Sequence, residues 1–264
     1  MAYQKGILEY NGSFKSIRNY RAKGDSRILA GEKGGANREL ILNNPALKRT
    51  RENMNEFKGC GLAVKAIRLG LYDLLPEQAD TRFTGRLMAI VKKINLKDPT
   101  GEHGKKAILF SIGRALLKTM TLNERKKIDN QLRRYITTSH PESRTEADIR
   151  VNGLNPNPMF VPANAQYYRI VHQLSIISDY AYDENDRKYE ALSPLASMNV
   201  IAYSEYTPVN TPLTVDLKAA FPEGTTLTDS ATVLQCVGIV YYIRSGANDY
   251  FAYSSGSMLV FDAF

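Results

Sequence analysis

The chain has no tryptophan, only two cysteines and only three histidines. Cys60 and Cys236 lie far apart in segments of different kind, which excludes a dense disulfide framework and a four-cysteine zinc site; both read as small buried hydrophobes. His103, His140 and His172 each stand alone, without the H-x-x-x-H, H-E-x-x-H or Cys-His spacing that brings two ligands onto one face. No metal and no cofactor is therefore expected. Long apolar runs are missing too: nothing approaches the roughly 18 to 20 residues that span a bilayer. Residues 1–12 are polar and carry no signal-peptide core. A cytoplasmic location is the expectation, with export by a leaderless route left open.

Catalytic signatures are equally scarce. Gly31-Glu32-Lys33-Gly34-Gly35 is glycine-rich but lacks the order of a phosphate-cradling loop, so a positive-φ turn is the better reading. Asp183-Glu184-Asn185-Asp186 lacks the glycine and distal glutamate of a calcium loop and reads as a solvated turn. Nothing places a base beside Cys60, and no Ser-His-Asp arrangement follows from residue order. The chain is read as not an enzyme, with no catalytic residue and no small-molecule substrate.

What is present is an ordinary globular composition, unevenly charged. The 264 residues are 43% hydrophobic and carry a net charge of +8, enough to bury a core as two modest domains or one large one. Residues 1–140 hold 28 Lys and Arg against 13 Asp and Glu, and residues 141–264 hold 7 against 14. Of 18 glycines, 13 precede that cut, and of 16 tyrosines, 11 follow it, as expected if helices and tight turns give way to strands. Oppositely charged halves can attract each other within one molecule or head to tail between molecules.

Along the chain, residues 6–35 read as a hairpin or small meander, with a type I′ turn at Asn11-Gly12 and a second turn at Lys23-Gly24-Asp25. So few large apolar residues cannot stabilise such a ribbon alone, so it must lie on something else. Asn44-Pro45 reads as a helix start. A long helix follows to Leu75, ended by Pro76, with Leu47, Met54, Phe57, Gly61, Val64, Leu71 and Leu74 as its apolar stripe. A second stripe, Gly59, Ala63, Ala66 and Gly70, predicts a close helix crossing that larger side chains would block. The next helix spans residues 81–96, capped by Asp80 and buried through Phe83, Leu87, Ile90, Val91 and Ile94, and the two form a helical hairpin. Residues 107–120 read as a shorter third helix, and residues 122–134 as helix or connection.

From Tyr135 the pattern turns to period two. Residues 168–176, 232–243 and 257–261 are strand runs, with shorter ones at 149–152, 199–203 and 213–217. The expected class is α+β. Residues 1–132 form a basic β-hairpin plus helical domain and residues 133–264 an antiparallel, Ig-like β-sandwich domain. One face of the long strands should meet the other sheet, leaving the second face for a partner or the ribbon.

Gln4-Lys5-Gly6-Ile7, Glu32-Lys33-Gly34-Gly35 and the run from Asn44-Pro45-Ala46-Leu47-Lys48 through Arg49-Thr50-Arg51-Glu52-Asn53 to Glu56-Phe57 make one pattern. It resembles a family of uncharacterised bacterial proteins, mainly from Bacteroidota, that open with a Gln-Lys-Gly-Ile phrase and carry an Asn/Asp-Pro-Ala…Arg-Thr-Arg-Glu-Asn helix. The likeness is specific over the first 60 residues and looser through Asp80-Thr81-Arg82 and the closing strands. Leu154-Asn155-Pro156 followed by residues 163–169 is also similar. The resemblance implies helices followed by a strand-rich part and supplies no catalytic residues; the basic stretch 124–134 departs from the pattern.

The basic residues are the most pointed feature. Lys48, Arg51, Lys58, Lys65 and Arg68 keep to one side of the first long helix, and Arg82, Arg86, Lys93 and Lys97 to one side of the second. The preferred reading is a non-enzymatic structural or interaction protein that docks on a protein partner, or self-assembles as a homo-oligomer, through its basic N-terminal region. The alternative is a nucleic-acid-associated protein that binds phosphate through the two stripes, steeply weakened by salt and without strong sequence preference.

Overall fold

Short strands with few apolar residues dominate the N-terminal 51 residues, and long apolar strands dominate the C-terminal half. The computed structural model describes residues 2–3, 9–21, 26–32, 34–99, 101–118, 120–126, 129–159, 161–246, 249–252 and 256–264. It contains two compact units, Met1–Arg51 and Glu52–Phe264.

In the first unit, strands β1 (Ala2–Tyr3), β2 (Gly12–Phe14), β3 (Ile17–Tyr20) and β4 (Leu29–Glu32) form a sheet in the order β1-β4-β3-β2. The expected hairpin exists, but its turn is Lys15-Ser16, with Lys15 at φ 51°, rather than Asn11-Gly12. This register sets Phe14 opposite Ile17, a cross-strand apolar pair that a turn at Asn11-Gly12 would not form. Gly31 and Glu32 belong to β4, so the glycine-rich stretch begins as strand; Gly35 alone of its described residues has a positive φ, 100°. The turn placed at Lys23-Gly24-Asp25 and the Gln4-Lys5-Gly6-Ile7 phrase lie outside the described residues. Helix α1 (Arg38–Asn43) is capped by Asn37, whose Oδ1 accepts Leu40 N–H at 2.7 Å. Asn44 then caps the 3-10 turn Pro45–Leu47 by accepting Ala46 N–H at 2.9 Å, and α2 (Lys48–Gly70) follows.

The second unit continues with α3 (Leu75–Gln78), α4 (Phe83–Leu96), α5 (Phe110–Leu117) and α6 (Asp129–Tyr135). The strands are β5 (Ile136–Ser139), β6 (Glu146–Leu154), β7 (Tyr167–Ser178), β8 (Tyr180–Asp183), β9 (Lys188–Ala191), β10 (Asn199–Tyr203), β11 (Thr207–Pro208), β12 (Leu213–Ala220), β13 (Ala231–Ser245), β14 (Asp249–Ala252) and β15 (Ser257–Ala263). The largest sheet runs β10-β7-β13-β14, with β11 added to β7 and β15 to β13; a second runs β12-β6-β5, and β8-β9 is a separate hairpin. Every strand pair in these sheets is antiparallel.

The central pair β7 and β13 explains the apolar runs. Tyr168, Ile170, Val237, Ile239 and Tyr241 share one core with Ile149, Val151, Leu154 and Leu217 of the three-stranded sheet. Leu174, Ile176 and Val233 share another with Ala147, Ala219 and Phe221. The alternate residues Val171, Leu234, Cys236 and Val240 enter a third core with Cys60, Val64, Ile67, Leu87, Val91 and Phe110. Helices of the same unit therefore cover the face that the sequence left for the ribbon or a partner. Helices and strands of this unit share one core. Among the described residues no helix is long and apolar enough to cross a membrane.

The long first helix has a different phase from the one predicted. Met54 and Phe57 are exposed, whereas Gly59, Cys60, Ala63, Val64, Ile67 and Gly70 are buried. Pro76 sits inside α3, and α2 ends earlier, at Gly70. The small residues admit strands rather than another helix. A Cβ on Gly59 would lie 2.5 Å from the Tyr189 ring of β9, and one on Gly70 would lie 2.1 Å from Ser175 Oγ of β7. Gly61 faces α4, where Met88 Cε is 3.9 Å from the corresponding point.

Two glycines two residues apart should thus respond oppositely to alanine. Gly59→Ala collides with a ring whose hydroxyl is tied to the Lys106 carbonyl at 3.0 Å; overpacking of about 1–3 kcal/mol should outweigh the helix gain of about 1 kcal/mol. Gly61→Ala meets only ordinary contact and should stabilise by up to about 1 kcal/mol. Urea denaturation of the two variants, with equal slopes, checks both signs.

Candidate interaction surfaces and a tyrosine-arginine ladder

The basic stripes separate into cations engaged within the fold and cations left at the surface. Arg51 donates from Nη1 to the carbonyls of Ile41 at 2.7 Å and Asn44 at 2.8 Å, satisfying backbone acceptors at the end of α1. Arg86 donates to both oxygens of Asp80 at 2.8 and 2.9 Å and to the Thr121 and Leu122 carbonyls, and its Nε lies 3.4 Å from Glu124. These arginines tie chain segments together within the fold. The guanidinium holds the Asp80 carboxyl well below its ordinary value, down to about 2. Lys48 also takes part in interactions within the structure.

Lys58, Lys65 and Arg68 on α2, with Arg82, Lys93 and Lys97 in or beside α4, are exposed, and none pairs with a carboxylate among the described residues. Met54, Phe57, Leu62 and Leu69 of α2 and Leu96 of α4 are exposed beside them. α2 and α4 run antiparallel, with Glu56 against Lys92 and Gly61 against Met88.

Glu56 is buried, accepting Lys92 Nζ and, at 2.8 Å, Gly104 N–H. Burial pushes its carboxyl up, but Lys92 and the Gly104 amide outweigh that and leave it below the ordinary value. Asn55 donates to the Gly104 carbonyl, and Asn95 to the Lys106 and Ala107 carbonyls. The cluster latches the segment 101–107 onto the helices. Cys60 beside it is buried, and burial pushes its thiol up to about 11, the opposite of an activated nucleophile. Cys236 is likewise buried, its thiol pushed up to about 12.

Asp183, Asp186 and Glu190 bring carboxylate oxygens within 4.8 Å of one another. Lys188 Nζ lies 2.8 Å from Asp186 and 2.9 Å from Glu190 and compensates their charge, and Glu184 pairs with Lys105 at 2.5 Å. Asp183 Oδ1 accepts Asn185 N–H at 2.7 Å as an ordinary turn contact. His140 stacks on Phe264 with centroids 3.8 Å apart, while His172 is buried between the two sheets, its Nε2 3.0 Å from Gln235 Nε2. Gln235 Oε1 in turn accepts Thr138 Oγ1 at 2.8 Å.

One grouping was not anticipated from sequence. Arg169 of β7 lies over two tyrosine rings, its guanidinium 4.5 Å from the Tyr203 centroid and 4.6 Å from that of Tyr206. Tyr206 stacks on Tyr250 with centroids 3.8 Å apart, and the Arg244 guanidinium lies 5.9 Å from the Tyr250 centroid. Tyr242 meets Tyr206 edge-on at 5.0 Å, and Tyr167 meets Tyr250 edge-on at 5.4 Å. The sheet builds this ladder. Ser204 is buried between Tyr203 and Tyr206; its Oγ accepts Ile170 N–H at 2.9 Å, and its carbonyl accepts Arg169 Nε at 2.5 Å. That pair of bonds clamps the end of β10 to β7. The surplus of tyrosine after residue 140 was the available signal; it reads as strand propensity until the register aligns the rings.

Comparison with protein-family models, curated proteins and solved structures finds no match. The functional reading therefore rests on the residues themselves.

Burial pulls His172 down to about 4 from an ordinary 6.5, against a smaller opposing contribution from the Leu217 backbone. Above pH 6.5 the ring is neutral in both states and contributes no pH dependence. Between 6.5 and 4 only the unfolded chain takes up this proton, so stability falls by about 1.4 kcal/mol per pH unit. Replacing His172 with Gln should flatten the denaturation free energy across that window, measured as the difference between variant and wild type at each pH.

Proposed function

We propose that the chain is a non-enzymatic structural or interaction protein that docks on a protein partner, or on further copies of itself, through its basic N-terminal region. One observation carries the reading: the first unit displays large apolar side chains that it does not bury. Phe14 is 62% exposed and Ile17 47%, with Tyr10, Leu40 and Leu42 also at the surface. Among the described residues of this unit, Ile28 is the one large apolar side chain that is buried. Residues 1–51 also hold 11 Lys and Arg against 4 Asp and Glu. A cationic four-stranded sheet with its apolar side chains in water gains by association with a surface that is apolar and acidic. In this reading the facing sheets of the second unit act as a sandwich-like scaffold that presents further contact surface.

Size exclusion with light scattering on the full chain tests it. Association, with itself or with a co-purifying protein, should weaken as salt rises. Phe14→Ser with Ile17→Ser should raise the dissociation constant at least tenfold, since each buried side chain is worth about 1.5–3 kcal/mol. A strict monomer at all concentrations that retains no protein would overturn the proposal.

The exposed Lys58, Lys65, Arg68, Arg82, Lys93 and Lys97, lacking carboxylate partners among the described residues, favour a second reading as a phosphate-backbone binder. Nucleic acid should then be retained at 50 mM salt and lost at 200 mM, with an affinity drop of roughly a hundredfold or more. Lack of retention at the lower salt would dismiss it.

A further inference from the structure

We propose that the ladder around Arg169 is a binding site for a hydroxyl-rich carboxylate of the uronic-acid class, as carried by an acidic glycan. Arg169 is half-buried, its guanidinium lies over two tyrosine rings, and Nε donates to the Ser204 carbonyl. Its terminal nitrogens have no acceptor and no carboxylate among the described residues. The two rings and the Nε bond together restrict the guanidinium. The remaining fork matches the two oxygens of a carboxylate, and little further ordering is required on binding. Arg86, by contrast, spends a terminal nitrogen on both oxygens of Asp80.

The surroundings select the rest of the ligand. The hydroxyls of Tyr167, Tyr203, Tyr206, Tyr242 and Tyr250 make no hydrogen bond to another described residue. Apart from buried Tyr242, they form a half-buried array of groups that both donate and accept, suited to sugar hydroxyls. Burial pushes the Tyr203 and Tyr242 hydroxyls up, so both keep their protons at neutral pH. Glu77 and Asp73 lie close enough to influence Tyr203 electrostatically. Their charge opposes further anionic groups beside the one carboxylate delivered to Arg169. The site belongs to the second unit and does not depend on docking through the first.

Titration calorimetry on the full chain tests the proposal with four probes: an oligomer of uronic acids, a neutral glucose oligomer of equal length, an acidic peptide and inorganic phosphate. The acidic oligosaccharide should bind saturably, at least tenfold tighter than each of the others. Arg169→Lys keeps the charge but loses the plane and fork, and should weaken that binding at least tenfold. Tyr203→Phe retains the ring beside Arg169, so the ladder folds, and should weaken binding about threefold to tenfold through one lost hydrogen bond. Absence of saturable binding, equal binding of the peptide or phosphate, or wild-type affinity in Tyr203→Phe together with any folded Arg169→Lys protein would overturn it.

Discussion

The antiparallel pairing of β7 with β13 is the constraint on which the rest of the second unit depends. The register runs from Ala231 opposite Ser178 to Tyr242 opposite Tyr167, and over residues 170–178 and 231–240 both faces of the pair are buried. Because side chains alternate with period two, a slip by one residue would turn every apolar contact to the opposite layer. With both layers apolar, hydrophobicity alone selects the register weakly. The buried polar residues add the missing specificity. His172 and Gln235 must meet between the sheets to satisfy each other and Thr138, and Gln173 must face the helices, where its Nε2 donates to the Gly70 carbonyl at 2.7 Å. A slipped register would bury these groups without partners, at about 1–3 kcal/mol each.

The same bonds explain how α2 ends. The last carbonyls of a helix have no partner within it, and here the sheet supplies donors: Gln173 to Gly70, and Ser197 Oγ to Ala66 at 2.9 Å. They reach only because Gly59, Ala63 and Gly70 let the helix backbone approach the strands. Small side chains, sheet donors and helix end are therefore one device. At the other end of the second unit's portion of α2, Glu56 and Asn55 hold Gly104, so the segment after α4 is fixed by helix side chains rather than by packing of its own.

Much of this was legible in the sequence, and the parts that were not have identifiable causes. Strand runs are legible where β-branched and aromatic residues dominate: residues 199–203 coincide with β10, whereas 149–152 and 213–217 cover only part of β6 and β12. The helix of residues 81–96 was found because Phe83, Leu87, Val91 and Ile94 repeat cleanly and are all buried. The phase of α2 was missed because periodicity counts large apolar residues, while this helix buries its small ones and exposes Met54 and Phe57. The hairpin turn was missed because Asn-Gly is a strong local signal, yet the Phe14 to Ile17 pairing prevailed. The exposed members of the basic stripes follow from spacing alone. The internal duties of Arg51 and Arg86 could not, since their acceptors depend on the folded backbone. The ladder was beyond pattern reading altogether: Arg169, Tyr203, Tyr206, Tyr242 and Tyr250 come from four strands and a loop and have no common spacing.

The division of labour among the cations follows from their chemistry. Arg51, Arg86, Arg133 and Arg144 each donate to backbone carbonyls, Arg133 to Val260 and Phe261 and Arg144 to Thr228 and Ala231. A planar fork can satisfy two acceptors at once and is less strongly hydrated than an ammonium, so it joins chain segments at lower desolvation cost. Lysines mostly stay in water, as on α2 and α4, where their stems can cover apolar surface while the charge remains solvated. A high cation count in the first half therefore overstates the charge available to a partner. The cations that remain available sit beside exposed methionine, phenylalanine and leucine. That mixture matches the rim and centre of a protein interface more closely than the evenly cationic track that a phosphate backbone requires.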